Sequence, residues 1–146
     1  MQATLAALLL TAAPLAAEFL RVEVNFSGME CASCAASVIS RLERMRGVEA
    51  VNAALDRGRL EIVLKSGNTL RLDNLRDTVK NAGFTLGLIR VSVRGAAVKE
   101  GGEWKFQVEG SDQALRLNAP LEGGVVTVTG AVRGDTFEPE PQAKSK

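Results

Sequence analysis

The feature that most constrains this chain is its hydrophobic period, which changes four times between residues 20 and 93. Alternating apolar and polar residues predict strands, and apolar residues three or four positions apart predict helices. The resulting order is strand, helix, strand, strand, helix, strand. The predicted strands cover residues 20–26, 48–55, 59–65 and 84–93.

The two predicted helices have recognisable apolar faces and ends. In the first helix Ala35, Val38 and Leu42 share one face, and Gly47 stops the chain. In the second helix Asp73 suits the N-cap position and Gly83 follows the last turn. This order predicts an α+β fold of the ferredoxin-like βαββαβ class, in which two helices cover one face of a four-stranded antiparallel sheet.

The chain on either side of this pattern has a different character. Residues 96–135 show short strand patterns separated by glycines, which predict a small β module of OB type. Residues 136–146 are expected to form a disordered tail. At the other end, residues 1–17 lack charged side chains and end in small residues, which predicts a signal peptide and hence a periplasmic or secreted protein. The alternative for residues 1–17 is a buried N-terminal helix.

Composition removes several classes of function. The 146 residues include no His and only two Cys, so His-containing metal sites, Ser-His or Cys-His catalytic pairs and a four-thiolate zinc site within one chain are excluded. The formal net charge is +1, without the basic excess that is typical of nucleic-acid binding. The remaining candidates for chemistry are the two thiols.

The thiols belong to the segment Gly-Met-Glu-Cys-Ala-Ser-Cys at residues 28–34. We expect Cys31 to lie in a loop and Cys34 in the first helical turn, where the helix dipole and free N–H groups should lower the pKa of the Cys34 thiol. Thiolates select soft ions, and two sulfurs without a third ligand suit Cu(I) best. Two ligands also leave room for a ligand from another protein, which favours transfer of the ion over storage.

Residues 20–94 resemble the heavy-metal-associated domain, a family that includes copper chaperones, periplasmic mercuric-ion-binding proteins and modules of metal-pumping P-type ATPases. The resemblance rests on the Gly-Met-x-Cys-x-x-Cys loop at residues 28–34, on Gly47-Val48, and on Asn-Ala-Gly-Phe at residues 81–84. Residues 18–95 are therefore predicted to form this domain.

The resemblance implies a metal site and an interior for this domain. It implies that Cys31 and Cys34 bind the ion, with Cu(I) favoured and Hg(II), Zn(II) and Ag(I) as alternatives. Met29 would point inward beneath the loop, and Phe84 would lie near the site. The implied partner is a metal-transporting ATPase or another metal-accepting protein, and no enzymatic activity is implied.

Two other functions remain open for the cysteine pair. A thiol-disulfide oxidoreductase also uses Cys-x-x-Cys at a helix start. Against this function, neither Trp nor Pro flanks the cysteines, and residues 18–95 contain no Pro. The second alternative is a protein-interaction module in which the cysteines form an inert disulfide.

Other conspicuous side chains have structural explanations. Trp104 and Phe106 are two positions apart, which predicts one buried face of a strand rather than a surface for stacking. A solvated face is expected near the end of the first helix, formed by Arg41, Arg44 and Arg46. Positive charges at a helix C-terminus interact favourably with the helix dipole.

Overall fold

The computed structural model describes residues 18–28 and 31–141. Within these residues it contains two α-helices, eight strands and one 3-10 turn. The helices are α1 (Ala32–Glu43) and α2 (Leu72–Asn81), and the 3-10 turn is Leu55–Arg57. The strands are β1 (Glu18–Ser27), β2 (Val48–Ala54), β3 (Arg59–Leu64), β4 (Thr85–Glu100), β5 (Glu103–Val108), β6 (Ala114–Leu117), β7 (Val126–Arg133) and β8 (Thr136–Pro139).

The first part of the chain folds into an antiparallel sheet with the helices against it. The strand order is β2-β3-β1-β4, and every neighbouring pair in this part is antiparallel. Alternation decides which face is covered: Val22 and Val24 of β1 and Leu60 and Ile62 of β3 are fully buried. They share one core with the buried side chains of both helices.

The opposite face of this sheet is polar and carries ion pairs across the strands. Arg21 of β1 lies 2.9 Å from Glu61 of β3, and Glu23 lies 4.0 Å from Arg59 and 3.9 Å from Arg90. Glu23 lies directly opposite Arg90, and the other two pairs join diagonal neighbours, which long side chains can also reach. The polar face explains why β1 and β3 alternate between apolar and charged residues.

The second part of the chain is a small barrel that shares β4 with the first part. The N-terminal half of β4 lies between β1 and β7, while residues 95–100 pair with β5. The strands β4, β5, β6, β8 and β7 follow one another and close back on β4, with β6 and β8 parallel. The first and last strands of this series, β4 and β7, therefore pair with each other.

Two glycines and two phenylalanines allow the barrel to close. A Cβ at Gly95 would lie 2.7 Å from the Phe106 ring, and a Cβ at Gly130 would lie 2.7 Å from the Phe137 ring. Both rings are fully buried, and their centroids are 5.3 Å apart in a tilted arrangement. Each ring therefore occupies the space that a larger residue at its glycine would fill.

The barrel also completes the N-terminus of α2. Gln113 is 8 % exposed, and its Oε1 accepts a hydrogen bond of 3.2 Å from the Leu72 N–H, one of the unpaired donors of the first turn. The guanidinium of Arg71 lies 2.8 Å from the Asp112 carboxylate. The prediction of Asp73 as N-cap is wrong: Arg71 holds that position, and Asp73 pairs with Arg76 at 2.9 Å in the first turn. The needed acceptor comes from a residue 41 positions away, which no local pattern reveals.

Several boundaries differ from the sequence prediction. The α+β content and the C-terminal β extension are confirmed, but β4 runs through residue 95, where the first domain was predicted to end. Residues 136–139, predicted as the start of a disordered tail, form β8 because Phe137 fills the barrel interior. The predicted signal peptide and residues 142–146 lie outside the described residues. No helix among the described residues is long and apolar enough to cross a membrane.

Candidate functional site

The cysteine pair lies where the chain passes from β1 into α1. The strand β1 ends at Ser27, and Gly28 has a φ of 88°, a conformation that glycine adopts without strain. Cys31 is the N-cap of α1, and Cys34 is the third residue of the helix. The structure confirms the predicted placement of Cys31 before the helix and Cys34 in its first turn.

The Cys31 side chain performs the task that Ser or Asp performs at most helix starts. Its backbone is extended, and its sulfur accepts a hydrogen bond of 3.1 Å from the Cys34 N–H. Its carbonyl oxygen accepts from the Ala35 N–H at 3.2 Å, which begins the helical pattern. The helix then continues because Ala35, Val38 and Leu42 bury one face in the core.

The two sulfurs are adjacent and open to solvent. Cys31 and Cys34 are both exposed, their Cα atoms are 5.3 Å apart, and a disulfide joins them. The Ser33 hydroxyl oxygen lies 3.4 Å from the Cys31 sulfur. Both polar contacts of the pair are made by the Cys31 sulfur, whereas the sequence analysis predicts stabilisation of the Cys34 thiolate. The spacing is consistent with the contacts of Cys31, because an N-cap side chain accepts a hydrogen bond from the N–H group three residues later.

The site lies at the end of the sheet that is opposite the α2 N-terminus. Ser27 pairs with Thr85, so the loop leaves the sheet beside the start of β4. Phe84, which the resemblance placed near the site, directly precedes Thr85 and is 7 % exposed. Phe84 therefore lies in the core at the same end of the sheet. Met29, which the resemblance directed inward, lies outside the described residues.

The remaining residues from the sequence analysis lie away from the cysteines. Arg41, Arg44 and Arg46 are exposed at the far end of α1, as expected of a solvated face. Phe106 is fully buried and Trp104 is packed against the core, which confirms the interpretation of that strand.

The donor set suits a soft ion with low coordination. Within residues 18–28 and 31–141, no group of three or more Cys, Asp or Glu side chains could hold a metal ion. The two sulfurs are thus the donors that the described site offers, and thiolates bind Cu(I) in preference to hard ions such as Mg²⁺ or Ca²⁺. The disulfide must first gain two electrons and two protons to give the two thiols.

One family model and several solved structures are similar to the part of the chain that contains this loop. Residues 23–85 match the family model of the heavy-metal-associated domain. No curated protein matches the chain. Among solved structures, the yeast copper transporter domain CCC2A is 18 % identical, with a TM-score of 0.42, over 45 % of this chain and 89 % of that one.

Two further structures are similar over the same part of the chain. A copper-binding domain of a P-type ATPase is 27 % identical, with a TM-score of 0.41, over 46 % of this chain and 89 % of that one. The N-terminal domain of a zinc(II) ATPase is 23 % identical, with a TM-score of 0.41, over 48 % of this chain and 65 % of that one.

Proposed function

We propose that the heavy-metal-associated domain of this chain, residues 23–85, binds one soft metal ion between the sulfurs of Cys31 and Cys34 and passes it to another protein. Cu(I) is the favoured ion, and Hg(II), Ag(I) and Zn(II) are the alternatives. The acceptor is a metal-transporting ATPase or another metal-accepting protein. The role is that of a carrier rather than an enzyme.

The observation that carries this proposal is the placement of two exposed cysteine sulfurs on one short turn. The Cα atoms of Cys31 and Cys34 are 5.3 Å apart, so both sulfurs reach the same small volume. The first turn of α1 contains no acidic side chain that would repel a thiolate. The N–H groups of that turn favour negative charge at this point. Two thiolates and one Cu(I) leave the site with one net negative charge, which this environment stabilises.

Exposure of the site supports transfer by ligand exchange. A thiolate of the acceptor adds to the bound ion to give a three-coordinate intermediate. One cysteine of this chain then leaves, a second acceptor ligand adds, and the other cysteine leaves as a thiolate. The number of bonds to the ion never falls below two, so the ion is not released into water. No covalent bond of a substrate forms or breaks.

The disulfide makes binding dependent on reduction. A dithiol reductant transfers two electrons and two protons to the Cys31–Cys34 bond and becomes a disulfide itself. The two thiols then lose their protons as the ion binds.

We further propose, from the predicted signal peptide at residues 1–17, a periplasmic or secreted location, where thiols are readily oxidised.

We also propose a fold class for each of the two parts of the chain. A ferredoxin-like βαββαβ sandwich for the first part is supported by the element order β1-α1-β2-β3-α2-β4 and the sheet order β2-β3-β1-β4. An OB-type barrel for the second part is supported by the closed five-strand series with its parallel β6–β8 contact.

A thiol-disulfide oxidoreductase is the second candidate, and the Cys31–Cys34 disulfide at a helix N-terminus favours it. Such an enzyme would catalyse turnover of a dithiol substrate and would not need to retain a metal ion. The third candidate, an interaction module with an inert disulfide, predicts neither turnover nor metal uptake after reduction.

The deciding experiment is a Cu(I) titration of the reduced protein against a chromogenic Cu(I) chelator. We expect one ion per chain for the wild type and none for Cys31→Ser/Cys34→Ser. Ser37→Ala is a matched control, because it changes an exposed position on the same helix and leaves both thiols in place. Undiminished Cu(I) affinity in the double Ser variant would overturn the proposal.

A further inference from the structure

The two sulfurs of the disulfide are not equivalent, because the hydrogen bonds of the pair fall on one of them. The Cys31 sulfur accepts a hydrogen bond of 3.1 Å from the Cys34 N–H. The Ser33 hydroxyl oxygen lies 3.4 Å from the same sulfur, and since a disulfide sulfur carries no proton, the hydroxyl is the donor. Within residues 18–28 and 31–141, no group donates a hydrogen bond to the Cys34 sulfur.

This difference follows from where the two cysteines lie relative to α1. Cys31 is the N-cap, and that position places its side chain in front of the free N–H groups of the first turn. Ser33, the second residue of the helix, adds its hydroxyl on the same side. Cys34 belongs to the helix itself and supplies the N–H donor rather than receiving one. Two donors therefore converge on the Cys31 sulfur.

The chemistry of thiol–disulfide exchange depends on such donors. One sulfur of the disulfide forms the new bond to the attacking thiolate, and the other leaves with the electron pair of the broken bond. Hydrogen bonds to a charged acceptor are about twice as strong as those to a neutral one, so both donors favour Cys31 as the departing thiolate. Cys31 and Cys34 are both exposed, so burial does not decide which of them is attacked.

We propose that a reductant attacks the Cys34 sulfur and that Cys31 is the leaving group, with Ser33 as a positioning residue that acts through Cys31. In the first step a thiolate of a dithiol reductant bonds to Cys34, and the Cys31–Cys34 bond breaks with its electron pair on Cys31. In the second step the other thiolate of the reductant closes the reductant's own disulfide and releases Cys34 as a thiolate. The two protons lost by the reductant reach the pair through solvent.

This order deepens the reduction step of the proposed function and rests on that function for its role, because the pair binds an ion only after reduction. Cys31 becomes free in the first step, whereas Cys34 is held by the reductant until the second. Cys31 is thus the first ligand that an incoming ion meets. The exchange itself involves no metal ion, so its order can be measured on the metal-free protein.

A rapid-quench reaction of the oxidised protein with glutathione tests the order directly, because glutathione has a single thiol and forms a mixed disulfide. The released cysteine is trapped with N-ethylmaleimide. Both cysteines lie in the tryptic peptide of residues 22–41, and fragment ions that separate them locate each group. At the earliest times we expect about fivefold more glutathione on Cys34 than on Cys31. Equal amounts on the two sulfurs, or an excess on Cys31, would overturn the proposal.

Ser33→Ala tests the part played by the hydroxyl, since it removes one donor and keeps both cysteines. We expect the equilibrium constant for reduction by dithiothreitol, at one fixed pH, to fall about fivefold, which corresponds to a midpoint potential about 20 mV more negative. The excess of glutathione on Cys34 should also shrink. A role in helix stability alone would act on the oxidised and reduced forms alike and leave the potential unchanged.

Two further variants make this test specific. Ser33→Thr restores a hydroxyl at the same position and should return the wild-type potential. Ser37→Ala is the matched control, because Ser37 is exposed one turn further along α1, and this change should have no effect. An unchanged potential in Ser33→Ala, or an equal shift in Ser33→Thr, would contradict the role of Ser33.

Failure of this inference and failure of the proposed function give different results. If glutathione lies mainly on Cys31 while the reduced wild type takes up one Cu(I), the order of reduction is wrong and the carrier function stands. If glutathione lies mainly on Cys34 while the reduced protein takes up no ion, the order of reduction stands and the carrier function is wrong.

Discussion

Truncation of Phe106 tests whether the barrel and the metal-binding part fold as one unit. Phe106 lies on β5 inside the barrel, is fully buried, and contacts the ring of Phe137 with centroids 5.3 Å apart. The residue is far along the chain from α1 and the cysteines. However, β4 belongs to both parts, and Gln113 of the barrel binds the first turn of α2.

The expected loss of stability follows from this burial. Truncation of a buried Phe to Ala costs about 3–5 kcal/mol, because apolar contact is lost and a cavity remains. The total free energy of unfolding of a domain is about 5–15 kcal/mol, so Phe106→Ala removes a large share of it. For a domain of this size, a loss of about 4 kcal/mol lowers the thermal midpoint by about 12–16 °C.

Two natural probes report the two parts separately. The single Trp of the chain, Trp104, lies on β5 of the barrel, so its fluorescence follows the barrel. Both helices belong to the first part, so circular dichroism at 222 nm follows that part. We expect coincident midpoints from the two probes in urea and on heating, in the wild type and in Phe106→Ala, with the variant shifted equally in both signals.

Glu103→Ala is the matched control, because Glu103 is exposed at the start of the same strand. It should change stability by about 0.5 kcal/mol or less. The reasoning would be refuted if fluorescence of Phe106→Ala showed an early transition while the helical signal kept the wild-type midpoint. In that case the barrel would unfold alone, and the shared strand would not couple the two parts.

Three other expected outcomes concern the junction, the barrel and the thiols. Gln113→Ala removes the acceptor of the Leu72 N–H and should cost about 1–2 kcal/mol in urea unfolding, and an unchanged midpoint would refute this capping role. Gly95→Ala should cost about 3 kcal/mol by the same assay, because its Cβ would overlap a backbone carbonyl of β5, and a stable variant would argue against the close approach. The oxidised protein should bind no Cu(I) until a dithiol reductant opens the Cys31–Cys34 bond, and stoichiometric uptake without reductant would contradict this requirement.

Local patterns predicted most of the first part of the fold. Alternation in β1 and β3 and the apolar stripe of α1 describe contacts within a few residues of each other, and the structure confirms these elements. The start of α1 was also predictable, because its N-cap is Cys31 itself. Elements that are stabilised by contacts between nearby residues can therefore be recognised from the sequence.

The differences arise where the cause is distant in sequence. The α2 N-terminus depends on Gln113, and β4 extends to Glu100 because β5 and β7 pair with it. Residues 136–139 lack a helical or alternating pattern long enough to recognise, yet Phe137 is buried because the rest of the barrel surrounds it. These features depend on tertiary pairing, which a pass along the chain does not reveal.

The central claim is that Cys31 and Cys34 together hold one soft metal ion. Native mass spectrometry of the reduced protein with Cu(I), Ag(I), Hg(II) and Zn(II) measures this most directly, since it gives the mass of each metal-bound species. The account predicts one ion per wild-type chain, with Cu(I) retained in competition with Zn(II), and none in Cys31→Ser/Cys34→Ser. A double Ser variant that still carries one Cu(I) per chain would contradict it.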